Sequence, residues 1–301
     1  MKTLEKNIIN LFGKTGRKWL DSLECTVEKL AQLWHLTNIT PVSNMSWNFV
    51  ALAIQKNNRP VALKISCDPK LIRDEYKTLK HFNGHGAIKV LDINTQYNAI
   101  LLEQAVPGHL LKVHHPLKIE DTISIYANVV KRLSTNELSD DSYIHAIKWC
   151  EAIDRIHDAR IDIRFVDKAK QVRSQLLDST PREYLCHGDL HLENIIQQGS
   201  DWVVIDPKGI IGEMAFEAAA FDLISNEEMK DATTASVKIV ERVTQLSTVL
   251  NISFDRLLSW IFLRIIISAQ WYVEDNGDPT QMLALAGYVY PLISEKLKML
   301  K

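Results

Sequence analysis

Between Lys18 and Trp34, apolar Leu20, Leu23, Val27, Leu30 and Trp34 recur every three or four residues, which predicts an amphipathic helix. The period then shortens. Strand-type runs follow around Ile39, at Phe49–Ile54 and at Val61–Ile65, the last two joined by the turn Lys56-Asn57-Asn58-Arg59-Pro60. A helix is expected from about Pro69 to Phe82, with Asn83-Gly84 ending it, then strands at Ala87–Asp92 and Ala99–Glu103. Val106-Pro107-Gly108 is a turn signal. Beyond it helical period dominates: Ile123, Tyr126, Val129, Val130 and Leu133 mark one helix, and a second is expected from about Ser142 to His157. Two short apolar runs, Tyr184-Leu185-Cys186 and Trp202-Val203-Val204-Ile205, bracket a polar loop, and helical patterns cover most of 214–301. A mostly antiparallel sheet with helices, joined to a helical lobe, is an α+β architecture, and a ligand is expected between the two lobes.

Composition narrows the class. Of the 301 residues 46% are hydrophobic and 24% charged, which fits a globular chain rather than a disordered one. The apolar stretch Leu257 to Val273 contains Arg264, Ser268 and Gln270, so a buried core helix is expected rather than a membrane span. The N-terminal residues lack signal-peptide character, and Cys25, Cys67, Cys150 and Cys186 show no CxxC spacing. Reduced thiols in a cytoplasmic protein are expected. The net charge of −2 gives no electrostatic argument for nucleic acid. The charge is uneven, however: residues 1–186 hold 26 Lys and Arg against 21 Asp and Glu, and residues 187–301 hold 9 against 16.

The richest segment for chemistry is His187-Gly188-Asp189-Leu190-His191-Leu192-Glu193-Asn194, followed by Val203-Val204-Ile205-Asp206. Phosphoryl transfer needs a carboxylate to orient the attacking hydroxyl and oxygen ligands to hold magnesium against the phosphates. Asp189 and Asn194 share one loop, so one can face the acceptor while the other reaches metal. Asp206, at the end of a buried strand, offers a second hard oxygen. An ordinary aspartate is a weak base for an alcohol, so Asp189 would act mainly by positioning.

The order HGDLxxxN with a later Asp resembles the catalytic loop and metal-binding aspartate of the aminoglycoside phosphotransferases, relatives of protein kinases. The longer string HGDLHLENII…WVVIDPKGIIGEMAFEAAAFDLISN is similar to the streptomycin 6-phosphotransferase and hydroxyurea-kinase branch. The likeness extends upstream through Ser46-Trp47-Asn48-Phe49-Val50-Ala51 and Val61-Ala62-Leu63-Lys64. It implies a protein-kinase-like fold, with a nucleotide-binding lobe over 1–103 and a catalytic and substrate-binding lobe over 104–301. It also implies Asp189 as catalytic base, Asn194 and Asp206 on Mg2+, and Lys64 on the phosphates of ATP or GTP. Glu75 would pair with that lysine, with Asp74 as the neighbouring alternative. The Glu103 carbonyl and Ala105 amide would meet the base, and Ser46 falls in a phosphate-covering turn. The implied acceptor is a small-molecule hydroxyl, on a streptomycin-like aminoglycoside. The acidic excess of the C-terminal part suits a polycation, with Glu213, Glu227, Glu228, Glu274, Asp275 and Asp278 as pocket candidates.

The sequence also departs from related patterns. No glycine-rich GxGxxG precedes Lys64, and Pro207-Lys208-Gly209 follows Asp206 where a protein kinase reads FG. Glu193 brings a negative charge beside the expected metal site. His187 suits a structural bond to the backbone near Asp206, Glu217 a buried structural carboxylate, and Lys208 either a turn or a charge-stabilising role. Gly13-Lys14-Thr15 resembles the end of a phosphate-binding loop, but Ile8 stands where its first glycine belongs. The pairs His114-His115 and Trp34-His35 lack ligand spacing. Two other functions remain open on these residues: a kinase of a sugar or amino alcohol, and a catalytically silent nucleotide-binding module.

Overall fold

The stripe expected from Lys18 belongs to a longer helix, α1 (Lys2–Trp34). The computed structural model describes residues 1–113, 117–135, 138 and 142–293, so His114-His115 lies outside the described residues. Helix α1 breaks at Gly13, whose φ of 54° and ψ of −124° are non-helical. Beyond the break Gly16 lies against the backbone of Ile8, where a Cβ would come within 2.5 Å of the Ile8 carbonyl oxygen. The Gly13-Lys14-Thr15 segment is thus a helix break, and both arms contribute to one core through Leu4, Ile8, Leu23, Leu30 and Trp34.

The other elements of this region are β1 (Thr37–Pro41), β2 (Asn48–Gln55), β3 (Arg59–Ser66), α2 (Pro69–Phe82), β4 (Val90–Asn94), β5 (Ala99–Glu103) and β6 (Pro107–Leu110). The first five strands form an antiparallel sheet in the order β1-β2-β3-β5-β4. Ala87, expected in a strand with Asp92, makes an isolated bridge to Val204, and β4 starts only at Val90. Asp68 caps α2 by accepting from the Lys70 amide, Pro69 fits its first turn, and Asn83 closes it with φ 44°.

Next come α3 (Ile119–Leu133), β7 (Ile144–His145), α4 (Ala146–Cys150), α5 (Ile163–Leu177) and β8 (Glu183–Cys186). The helix expected over 142–157 is therefore a two-residue strand, one short helix and a 3-10 segment, Glu151–Arg155. Helix α5 falls where only a polar stretch was expected. Its buried residues, Val166, Ala169, Val172 and Leu176, form a stripe too thin to stand out among its charges. The remaining elements are β9 (Ile195–Gln198), β10 (Asp201–Val204), β11 (Ile210–Glu213), α6 (Met214–Ala218), α7 (Ala232–Leu250), α8 (Phe254–Glu274) and α9 (Thr280–Val289). Two small sheets, β10-β9-β6 and β7-β11-β8, complete the strand pairing among the described residues.

By contacts the chain divides into two compact units: residues 1–109 with 196–208, and residues 110–195 with 209–301. The division falls after His109 rather than Glu103, and 196–208 return to the first unit because β9 pairs with β6 and β10 with β9. In the second unit α8 is buried over most of its length, so it is a central core helix although it is long and apolar enough to cross a membrane. Arg256 near its start forms two 2.6 Å bonds to Glu213, which also accepts from the Trp260 indole. Glu213 is 2% exposed, which removes it from the pocket candidates.

Two glycine substitutions separate these packing effects. Gly16→Ala drives a Cβ into the Ile8 backbone and should destabilise by about 1–3 kcal/mol. Gly287→Ala, in α9 with nothing within 4 Å of its Cβ position, should stabilise by about 0.5–1 kcal/mol. Denaturant unfolding of both variants checks the pair, and equal effects would contradict the helix break.

Candidate active site

One cluster of the expected residues lies in the first unit. Strand β3 runs between β2 and β5, with Lys64 opposite Val50 and Ile100. The stripe of α2 that faces inward is Ile72, Glu75, Thr78, Leu79 and Phe82, so Glu75 is a carboxylate on an otherwise mostly apolar face. It meets Lys64 with Oε2 at 2.7 Å from Nζ. The same Nζ lies 2.7 Å from Oδ1 of Asp206. Asp74, one residue away, instead pairs with Lys70 on the helix surface. Burial opposes the charge on Lys64, but the Asp206 and Glu75 carboxylates outweigh it and hold the ammonium above the usual lysine range. Glu75 is itself pushed up by burial, which Lys64 only partly offsets.

Asp206 reaches this position through the backbone before it. Val204 donates to Gly86 at 2.8 Å and accepts from Ile88 at 2.9 Å, which ties the end of β10 to the segment ahead of β4. Asp206 then adopts φ 60°, a left-handed conformation that Asp tolerates better than most residues. Its side chain stays 43% exposed while Lys64 is 3% exposed, so the carboxylate bridges the buried ammonium and solvent.

A second cluster lies in the loop after β8, within the second unit. The Asn194 amide nitrogen donates to the Asp189 carbonyl at 2.8 Å and lies 3.1 Å from His191 Nε2. That geometry makes Nε2 of a neutral His191 an acceptor and leaves the Asn194 oxygen as the end suited to a cation. Backbone bonds from His191 to Asp189 and from Asn194 to His191 tighten the loop. Asp222 accepts from the Leu192 amide at 3.0 Å and lies 3.3 Å from Lys112, which also faces Glu193 at 3.7 Å. Glu193 therefore turns toward Lys112. His187 is fully buried; its ring Nδ1 accepts from the Asp189 amide and its carbonyl from Gly209, a structural arrangement.

The two peptides that meet at Gly188, just before Asp189, are each gripped by a charged side chain. Gly188, at φ 87°, donates to Glu217 Oε2 at 3.1 Å, and its carbonyl accepts from Arg264 at 2.9 Å. Arg264 comes from α8 and lies over the rings of Phe216 and Trp149. Glu217 was expected to be buried and structural. Its bond to the catalytic loop, and the roles of Arg264, Asp222 and Lys112, were not foreseen. A lone arginine inside an otherwise apolar core helix is the signal that could have led to Arg264.

The other expected residues lie elsewhere in the first unit. Ser46 is exposed between β1 and β2, its carbonyl held by Asn7 at 3.1 Å. Glu103 ends β5 with its amide donated to Lys89, and Ala105 sits in the connection to β6, ahead of a cis Val106–Pro107 peptide. Lys208 is exposed, and its charge reaches Glu75. Four more of the acidic pocket candidates are engaged locally: Glu227 with Lys230, Glu228 with Lys238 and Arg242, Glu274 with Arg155, and Asp278 with Thr280. Asp275 is exposed.

Asn194 has an amide oxygen that its bond to the Asp189 carbonyl leaves open, and Asp206 has a second carboxylate oxygen beyond the one that meets Lys64. Each is a hard oxygen, the donor type that Mg2+ takes. Among the described residues no group of three or more His, Cys, Asp and Glu could hold a metal ion.

Comparison with known proteins places this arrangement. The model of the aminoglycoside/hydroxyurea antibiotic resistance kinase family matches residues 33–276. A streptomycin 6-kinase of Streptomyces glaucescens is 25% identical over 296 residues, 92% of this chain and 94% of the relative. A streptomycin 3''-kinase of Klebsiella pneumoniae is 28% identical over 255 residues, 81% and 90% of the two chains. Among solved structures, a thermostable mutant of the aminoglycoside phosphotransferase APH(4)-Ia, in a ternary complex with ADP and hygromycin B, matches with a TM-score of 0.62. At 14% identity, covering 88% of this chain and 96% of that one, it is a likeness of fold. The α+β fold is protein-kinase-like, and the chain belongs to the aminoglycoside/hydroxyurea antibiotic resistance kinase family.

Proposed function

We propose that this kinase transfers the γ-phosphoryl group of ATP to a hydroxyl of a streptomycin-like aminoglycoside. The observation that carries the reading is the buried Lys64 ammonium held at 2.7 Å by both Glu75 and Asp206. Such a group stays charged and fixed, as a phosphate contact requires. The acceptor class rests on the two relatives named for streptomycin.

Within that reading each residue has a task. Lys64, oriented by Glu75, meets the nucleotide phosphates. The Glu103 carbonyl and Ala105 amide meet the base edge, and the turn containing Ser46 covers the phosphates. Asp189 orients the acceptor hydroxyl and takes its proton late, when a loose transition state has made that proton acidic. The Asn194 oxygen and Asp206 would hold Mg2+, which would supply neutralisation of charge on the transferring phosphoryl group. His191, accepting from Asn194, keeps the amide turned with its oxygen away from the ring.

An ADP-release assay over aminoglycosides, sugars and amino alcohols, with ATP and GTP in parallel, tests the acceptor and nucleotide. Streptomycin-type compounds with ATP should turn over fastest, and activity confined to a sugar or amino alcohol would replace the acceptor. Asp189→Asn should lower kcat by about 10²–10⁴-fold; wild-type turnover in that variant would remove Asp189 from its role. Chelation of divalent cations should abolish turnover. Asn194→Ala should raise the magnesium concentration needed for half-maximal rate, whereas Lys64→Met should lose activity that added magnesium does not restore.

A further inference from the structure

We propose that Glu217 and Arg264 are positioning residues that set the aim of the Asp189 carboxylate by clamping the two peptide planes that meet at Gly188. The proposal rests on the reading of Asp189 given above. Gly188 joins two peptide planes, and each has a charged partner. Glu217 takes the amide of the His187–Gly188 plane at 3.1 Å, and Arg264 donates to the carbonyl of the Gly188–Asp189 plane at 2.9 Å. The other ends are held as well: Gly209 donates to the His187 carbonyl at 3.2 Å, and the Asp189 amide donates to His187 Nδ1 at 3.2 Å. Neither plane can rotate about its Cα–Cα axis without breaking a charge-assisted bond. Rotation of these planes is the motion that would swing Asp189, the next residue.

Gly188 makes this restraint necessary. At φ 87° it occupies a region open to glycine, and glycine is the residue with the most alternative conformations. The clamping residues are themselves immobile. Glu217 is 2% exposed in α6, and Tyr126 from α3 donates to the Glu217 carbonyl at 3.2 Å. Arg264 is stacked on Phe216 and Trp149, with its guanidinium 4.9 Å and 5.5 Å from the ring centres. An isolated buried carboxylate and guanidinium cost stability, and hydrophobic replacements of such pairs are often neutral or better. Their use on the two backbone peptides that meet at Gly188, beside Asp189, gives that cost a purpose.

The charge on Glu217 adds a second readout. Burial pushes its carboxyl up to about 7, against the Gly188 amide, the Arg264 guanidinium and the Cys186 thiol, while Asp189 adds to the rise. Tyr126 also faces it, as a neutral phenol held well above its ordinary range. The grip on Gly188 is strongest when Glu217 is ionised. For stability the sign is opposite: a carboxyl raised by folding favours the fold most below about 4.5, and that contribution is lost as pH rises to about 7.

Steady-state kinetics of the full chain, with ATP and the best acceptor of the panel, test the clamp in Glu217→Gln and Glu217→Ala. The amide keeps an acceptor oxygen for Gly188, so kcat should fall in the order wild type, Glu217→Gln, Glu217→Ala. The alanine variant should lose about 10²-fold, the scale expected for a misaligned catalytic group, with KM for both substrates little changed. Wild-type kcat should rise through pH 7, and Glu217→Gln should lack that limb. Melting temperatures across pH 5–8 report the fold separately: the wild type should lose stability with rising pH relative to Glu217→Gln. Should Glu217→Ala fail to fold, the glutamine variant alone decides, through its lower kcat and flat limb. Asp189→Asn runs alongside. If it keeps wild-type activity, the catalytic reading fails; if it is inactive while both Glu217 variants match wild-type kcat, the clamp fails. Loss of nucleotide affinity in step with melting temperature would also overturn the clamp in favour of a purely structural role.

Discussion

A single buried ammonium organises the charged cluster of the first unit. Lys64 is 3% exposed and meets two carboxylates at 2.7 Å, so the cluster carries one more negative charge than positive. Taking such charges out of water is costly, and the arrangement holds because each carboxylate comes from a different rigid element. Glu75 comes from the inward face of α2, and Asp206 from the residues after β10, which are tied at Val204 to Gly86 and Ile88. The excess negative charge is borne by the more exposed member, Asp206, where solvent can screen it. The same geometry therefore explains why Glu75 can be fully enclosed while Asp206 remains open to solvent.

The cluster in the second unit is built on a different principle. Asp189 sits on a loop whose backbone is held by side chains distant in sequence, from α6, from the segment after it and from α8. The grip on Gly188 lies at one end and the Asp222 bond to Leu192 at the other. Between them Asn194 folds back on the Asp189 carbonyl. The loop is short and its shape comes from hydrogen bonds rather than from regular structure. Precision then depends on how well the supporting residues are themselves buried.

Local chemistry explains which parts were legible in the sequence. Helix α2 was readable because Asp68-Pro69 starts it, Asn83 ends it, and its apolar spacing is strong. Glu75 could be chosen over Asp74 only by its place on that inward stripe, which the fold makes visible. The motif residues 187–194 and 203–206 were legible as a set because their spacing is narrow. Boundaries failed where tertiary contacts override local pattern. Residues 142–157 have helical spacing, yet 144–145 are recruited as a strand beside β11 and 151–155 tighten into a 3-10 turn. In α1 the apolar spacing before Gly13 was not recognised, because Leu4 and Ile8 are separated by charged and polar residues.

Part of the uneven charge is taken up inside the fold, as the ion pairs make plain. The acidic excess over 187–301 suggested a surface for a polycation, but Glu213 is buried against Arg256 and Trp260, and Glu228 is held low by Arg242 and Lys238. Those carboxylates serve the packing of α7, α8 and β11. A formal count treats every carboxylate alike, whereas recognition depends on those whose charge still faces solvent. Arg264 shows the converse: one cation, absorbed into an apolar helix and invisible in the net charge, contacts the peptide on which the catalytic loop turns. Position in the fold, rather than the total, decides what a charge can do.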